Sequence, residues 1–158
     1  MITEHLPPTS TRVERMTRPD INTRIRTRTN RRIAALAKGD AAALDARIRD
    51  VEREWDVERL LQANASSLVL LGTLLGARVD RRFLLLPVAV LAFFGLHAIQ
   101  GWCPPVPVFR RRGIRTVREI ERERYALKAL RGDFDDVPEP ERDAGSVRIR
   151  SVLEAVDR

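Results

Sequence analysis

The 158-residue chain is poor in the residues that usually carry chemistry: it has one cysteine, two histidines and one tyrosine, and its 29 basic side chains include two lysines, Lys38 and Lys128. A single cysteine excludes an internal disulfide framework. Two histidines and one thiol, set far apart, fall short of the four ligands of a typical zinc site. No glycine-rich phosphate loop is present, and no nucleophile stands at a recognisable spacing from a base. No catalytic constellation, cofactor or metal is therefore expected. The residue left for chemistry is Cys103. The opening MITEHLPPTSTRVERMTRPD has no apolar core of a secretory signal.

What the chain has is arginine, with a net charge of +7. A basic balance argues for anionic partners rather than for a fold. Residues 1–29 combine Pro7, Pro8 and Pro19 with many threonines and the run TRIRTRTNRR. Threonine is a poor helix former and no apolar period is visible, so this part reads as a basic, disordered arm. It is a solvated tail or a contact for lipid head groups. Nucleic acid binding would rest on this arm alone and is not the expected role.

Residues 30–59 read as amphipathic helices on the cytoplasmic side. Asn30 is placed to cap a short helix that Gly39 ends, and Asp40 to cap a longer one running on to Gln62. Leu44, Ile48, Val51 and Trp55, spaced four, three and four, fall on one stripe.

The middle of the chain, 60–109, is the dominant feature. No charge occurs from Leu60 to Ala77 or from Phe83 to Phe109, and only RVDRR separates the two runs. Eighteen helical residues rise about 27 Å and twenty about 30 Å, close to a hydrocarbon core. SLVLLGTLLGA and FLLLPVAVLAFFGLHAI are apolar on every side, which suits lipid rather than the core of so charged a chain. The expected fold is all-α: a transmembrane helical hairpin, 60–77 and 83–102, between charged helices. Arginines crowd both flanks of the hairpin more than its loop, which puts both termini in the cytoplasm. Gly72 and Gly76 form a GxxxG pair, expected at a contact between subunits or between the two helices of one hairpin. His97 is expected to make an interhelical hydrogen bond.

The exit reads Gly101-Trp102-Cys103-Pro104-Pro105-Val106-Pro107. Glycine loosens the helix end, Trp102 suits the membrane interface, the prolines stop the helix, and Arg110, Arg111 and Arg112 are expected to hold anionic head groups. Residues 110–132 then form a basic cytoplasmic helix with a capping box of Thr116 and Glu119 and a stop at Gly132. Along it, Val117, Ile120, Leu127 and Leu130 share a loose apolar face, while Glu119, Glu121 and Glu123 read as a solvated one. Residues 133–158 read as an acidic, proline-bearing linker and tail with one short helix in SVRIRSVLEAVDR.

These residues resemble the YgaP-like transmembrane domain family, small bacterial inner-membrane hairpins. The likeness runs from Asp56 to Thr116 and lies in Gly101-Trp102-Cys103-Pro104, in Gly113-Ile114-Arg115-Thr116, and in Asp56 with Arg59 ahead of the first span. The resemblance implies a bacterial inner-membrane location. Some relatives carry a rhodanese domain that handles sulfane sulfur, but the residues here leave no room for its sheet. The expected function is thus a non-catalytic, homo-oligomeric membrane anchor or adaptor for a cytoplasmic protein. A sulfur- or thiol-handling role for Cys103 is the alternative, and a small-solute transport subunit ranks below it.

Overall fold

The structure, a computed structural model, describes residues 8–137 and 145–157. Among them every regular element is helical: α1 (Arg12–Arg15), α2 (Pro19–Leu36), α3 (Ala41–Glu52), α4 (Val57–Arg78), a 3-10 turn (Arg81–Leu84), α5 (Leu85–Gln100), α6 (Val106–Arg111), α7 (Val117–Arg131) and α8 (Gly145–Asp157). The chain divides into two compact units. One takes in Met1–Arg28 and Trp55–Ile120, the other Thr29–Glu54 and Glu121–Arg158.

The first unit is built on the hairpin of α4 and α5. Asp56 starts α4 by accepting the Arg59 N–H at 2.9 Å. The buried positions of α4 are Val57, Leu61, Ala65, Gly72 and Gly76, a ladder of about one residue per turn. From Ala65 onward these are the smallest side chains available, and they let α5 come close. A Cβ on Gly72 would stand 2.6 Å from Pro87 Cδ, and one on Gly76 would stand 2.5 Å from Leu84 Cδ2. Of the two contacts expected for the glycines, the one within the hairpin is therefore formed. Pro87 occupies the first turn of α5, where proline is tolerated.

The outward faces are bare. Leu70, Leu85 and Val88 are 61%, 72% and 65% exposed. Both arms of the hairpin are long and apolar enough to cross a membrane, and only 22% and 11% of their apolar stretches is buried within the protein. Of the three exposed hydroxyl residues of α4, Ser66, Ser67 and Thr73, two turn back onto their own helix: Ser67 donates to the Ala63 carbonyl and Thr73 to that of Val69, both at 2.8 Å. At the foot of the hairpin Val13, Val57, Leu61, Cys103 and Val106 make a small core, with Phe94, Phe109 and Ile114 against it.

Several expectations are corrected. The described part of the supposed arm is mostly helix, in α1 and the first part of α2. Val13, Ile21, Ile25 and Thr29 are buried, and tertiary packing outweighs the low helix propensity of threonine. Residues 1–7 lie outside the described residues. Asn30 caps nothing, being interior to α2. The helix begun at Asp40, whose carboxylate does accept the Ala43 N–H at 2.8 Å, stops at Glu52 instead of running to Gln62. Trp55 consequently leaves the stripe and lies half-exposed beneath the Arg59 guanidinium, 4.3 Å from the ring centroid. Leu44, Ile48 and Val51 remain buried together on α3.

Gly132 ends α7 with φ +90°. The supposed linker begins later than expected, because Asp133 is buried and bound by Arg131 at 2.6 Å. Its acidic, proline-bearing stretch 138–144 lies outside the described residues.

Two glycines separate conformation from crowding. Gly101 and Gly113 have φ +82° and +85°, but only Gly101 is crowded: its Cβ would meet the Arg12 carbonyl carbon at 2.6 Å. Gly113→Ala should cost about 1–2 kcal/mol for the left-handed backbone alone. Gly101→Ala should cost clearly more, and thermal melting should rank wild type above G113A above G101A. Equal melting of the two variants would contradict the seating of α1 on Gly101.

Candidate functional site

The polar groups of the first unit gather at the foot of the hairpin. Antiparallel helices bring the first turn of α4 beside the last turns of α5, so Glu58 meets His97. His97 Nε2 lies 2.8 Å from Glu58 Oε2. A carboxylate can only accept, so that nitrogen carries the hydrogen. Arg12 NH2 donates to Glu58 Oε1, also at 2.8 Å, and Arg12 NH1 to the Thr9 carbonyl at 3.0 Å. His97 is buried and stacks on Phe94, with ring centroids 6.4 Å apart. Its expected interhelical bond is present, and its partner is a residue the sequence did not single out.

Glu58 stands two residues ahead of the apolar run. The hydrogen bond from His97 holds its carboxyl below the usual range, with the attraction of Arg12 adding to it and partial burial opposing it. Cys103 is buried in the small core, and burial pushes its thiol up, away from the thiolate that does chemistry.

A second cluster follows the hairpin. Arg110, expected at lipid head groups, is wholly buried instead. Its guanidinium grips Glu119 with two bonds of 2.6 and 2.7 Å, and also reaches the Ile114 carbonyl and Asn22 Oδ1 at 2.9 Å. This planar fork is what arginine offers and lysine does not. Arg111 and Arg112 are exposed. Glu119 also completes the capping box: it accepts the Thr116 N–H at 2.9 Å and donates its own N–H to Thr116 Oγ1 at 3.3 Å. Thr116 Oγ1 in turn reaches Glu14 at 3.2 Å. Trp102 packs edge-on to Phe93, with centroids 6.1 Å apart.

The second unit has its own buried charges. Glu123, read as solvated, is wholly buried and takes two bonds from Arg47, at 2.9 and 3.1 Å, and a longer one from Arg32. Arg131 bridges Asp45 and Asp133, which raises its affinity for the proton. Lys128 is buried and donates to the Val156 carbonyl in the last turn of α8 at 2.9 Å. Of the apolar face expected on α7, Ile120 and Leu127 are buried, while Val117 and Leu130 are nearly half exposed.

Among the described residues no group of three or more His, Cys, Asp or Glu is arranged to hold a metal ion. Beside the Arg12–Glu58 pair lies an open cavity of about 400 Å³, walled by α1, by the turn ahead of it and by the first turn of α7. The geometry thus gives a helical protein with a charged, hydrogen-bonded foot beneath two membrane-competent helices. No family model, curated protein or solved structure matches the chain.

Two outcomes follow. Arg110→Ala leaves a carboxylate without its partner in a buried setting and should cost about 3–5 kcal/mol. Arg111→Ala, on the surface, should change stability by less than about 0.5 kcal/mol. Thermal melting of the purified variants measures both. For Glu58 the folded pKa is the lower one. Its contribution is therefore complete above the unfolded value and lost as pH falls through the folded one. Wild type should melt above Glu58→Gln at neutral pH, and the gap should close below about pH 4.

Proposed function

We propose that the chain is a small integral protein of a bacterial inner membrane, a non-catalytic anchor or adaptor. In this reading the hairpin sits in lipid. Both ends of the chain lie in the cytoplasm, where the charged helical unit of 29–54 and 121–158 meets a protein partner. The observation that carries the reading is the bare leucine surface of the hairpin, because a helix at the core of a soluble protein would be mostly covered. The inward turn of Ser67 and Thr73 supports it, since lipid offers a hydroxyl no water to bond. The arginines flanking the hairpin support the orientation.

Copies of the chain associate, in this reading, through the leucine and phenylalanine faces. The glycine face is already taken up between α4 and α5. The resemblance to the YgaP-like transmembrane domain family supports location and topology. The burial of Cys103 favours an anchor over a thiol carrier.

The test is extraction and labelling. The full chain should stay in the membrane pellet through alkaline carbonate and high salt, and leave it only with detergent. A Val79→Cys substitution in a Cys103→Ala background should react with an impermeant maleimide added outside spheroplasts. Recovery of folded protein in the carbonate supernatant would overturn the anchor; labelling only after lysis would reverse the orientation.

A further inference from the structure

The cavity at the foot of the hairpin is lined by Thr9, Ser10, Arg12, Glu58, Thr116 and Arg118, among others. Its polar groups divide into the satisfied and the available. Glu58 is held on both oxygens by Arg12 and His97. The Thr116 hydroxyl is engaged with Glu14 and with the N–H of Glu119.

Arg118 is different. Its side chain is 56% exposed, and its nearest carboxylate oxygen, on Glu14, stands 3.8 Å away, beyond hydrogen-bond reach. The hydroxyls of Thr9 and Ser10 make no hydrogen bond among the described residues. Three residues that line this space, Arg118, Thr9 and Ser10, thus carry a guanidinium fork and two hydroxyls with donors to spare, and the space is far larger than the ~30 Å³ a water occupies. That donor set suits the tetrahedral oxygens of a phosphate, which arginine can take two at a time.

Position points to the source. Arg12 reaches Glu58, two residues before the apolar run of α4, and its backbone lies against Gly101, just beyond α5. With the hairpin in a bilayer this is the level of the head groups, where a phosphate is always present. The cavity walls are also largely apolar, with Val13 and Val117 among them, as suits the glycerol end of a head group.

We propose that this cavity is a phosphate-binding site for the head group of an anionic phospholipid. Arg118 grips the phosphate oxygens, the Thr9 and Ser10 hydroxyls complete the grip, and the Arg12–Glu58 pair forms a fixed wall. The lipid source rests on the membrane reading above, whereas the phosphate chemistry does not. Glu14 and Glu58 offset the two arginines, so recognition comes from donor geometry rather than from net charge.

The experiment uses the full chain in detergent micelles and native mass spectrometry. The probes are phosphatidylglycerol, diacylglycerol of the same chains as the phosphate-free control, and free glycerol phosphate as competitor. Wild type should retain phosphatidylglycerol over diacylglycerol. Arg118→Ala should lower that retention at least fivefold, Arg118→Lys should restore part of it, and Arg122→Ala, on an exposed residue that does not line the cavity, should leave it unchanged.

Failure to displace the lipid with free glycerol phosphate supports a membrane source; displacement at low concentration supports a soluble phosphate ester in the same site. Retention that ignores Arg118 overturns the site, even with the chain firmly in the membrane. Binding of glycerol phosphate that depends on Arg118, by a chain that leaves the membrane in carbonate, would overturn the anchor and keep the site.

Discussion

The Glu58 carboxylate is the interaction on which the foot of the hairpin depends. It lies in the first turn of α4, and its two oxygens reach two other elements, α5 through His97 and α1 through Arg12. A carboxylate buried without partners is expensive, and one with a partner on each oxygen fixes the geometry of both. Two apolar helices have little besides shape to set their register. This carboxylate gives them one directional bond, and the same group draws the N-terminal segment beneath them. The Gly101 backbone then lets that segment lie closer than any side chain would permit.

Shape is set at the other end by the absence of side chains. Gly72 and Gly76 turn toward Pro87 and the Leu84 side chain. Contact at this range is dispersion between closely fitted surfaces. With the small residues facing inward, the leucines and valines are left outward. A sequence that is apolar all round becomes a pair of helices with an inner seam and an outer coat.

Much of this was legible in the residues. Charge-free runs of the right length mark the two long helices. Gly101, Gly132 and the Thr116–Glu119 box mark helix ends that form where the spacing places them. His97, a lone polar group in an apolar run, announces a partner without naming it. Glu58 was findable in principle, because a tight loop makes the start of one run and the end of the other neighbours.

The N-terminal helices were hidden for a physical reason. Ile21, Ile25 and Thr29 recur every four residues, but threonine and arginine fill the gaps, and three points of period are too few to outweigh poor propensity. The fates of Glu123 and Arg110 were hidden because charge alternation looks the same on paper whether a helix face meets water or a second charged helix. Which acid is buried is decided by tertiary approach, here that of Arg47 and Arg32 to one carboxylate.

The scarcity of lysine has a practical corollary. Lys128 is enclosed, its ammonium engaged with the end of α8, while Lys38 stands in water just past α2. Amine-directed reagents, whether dyes, biotin esters or crosslinkers, will therefore find essentially one lysine on the folded protein. Among the side chains of a protein so dense in positive charge, that chemistry has almost a single handle, beside the α-amino group.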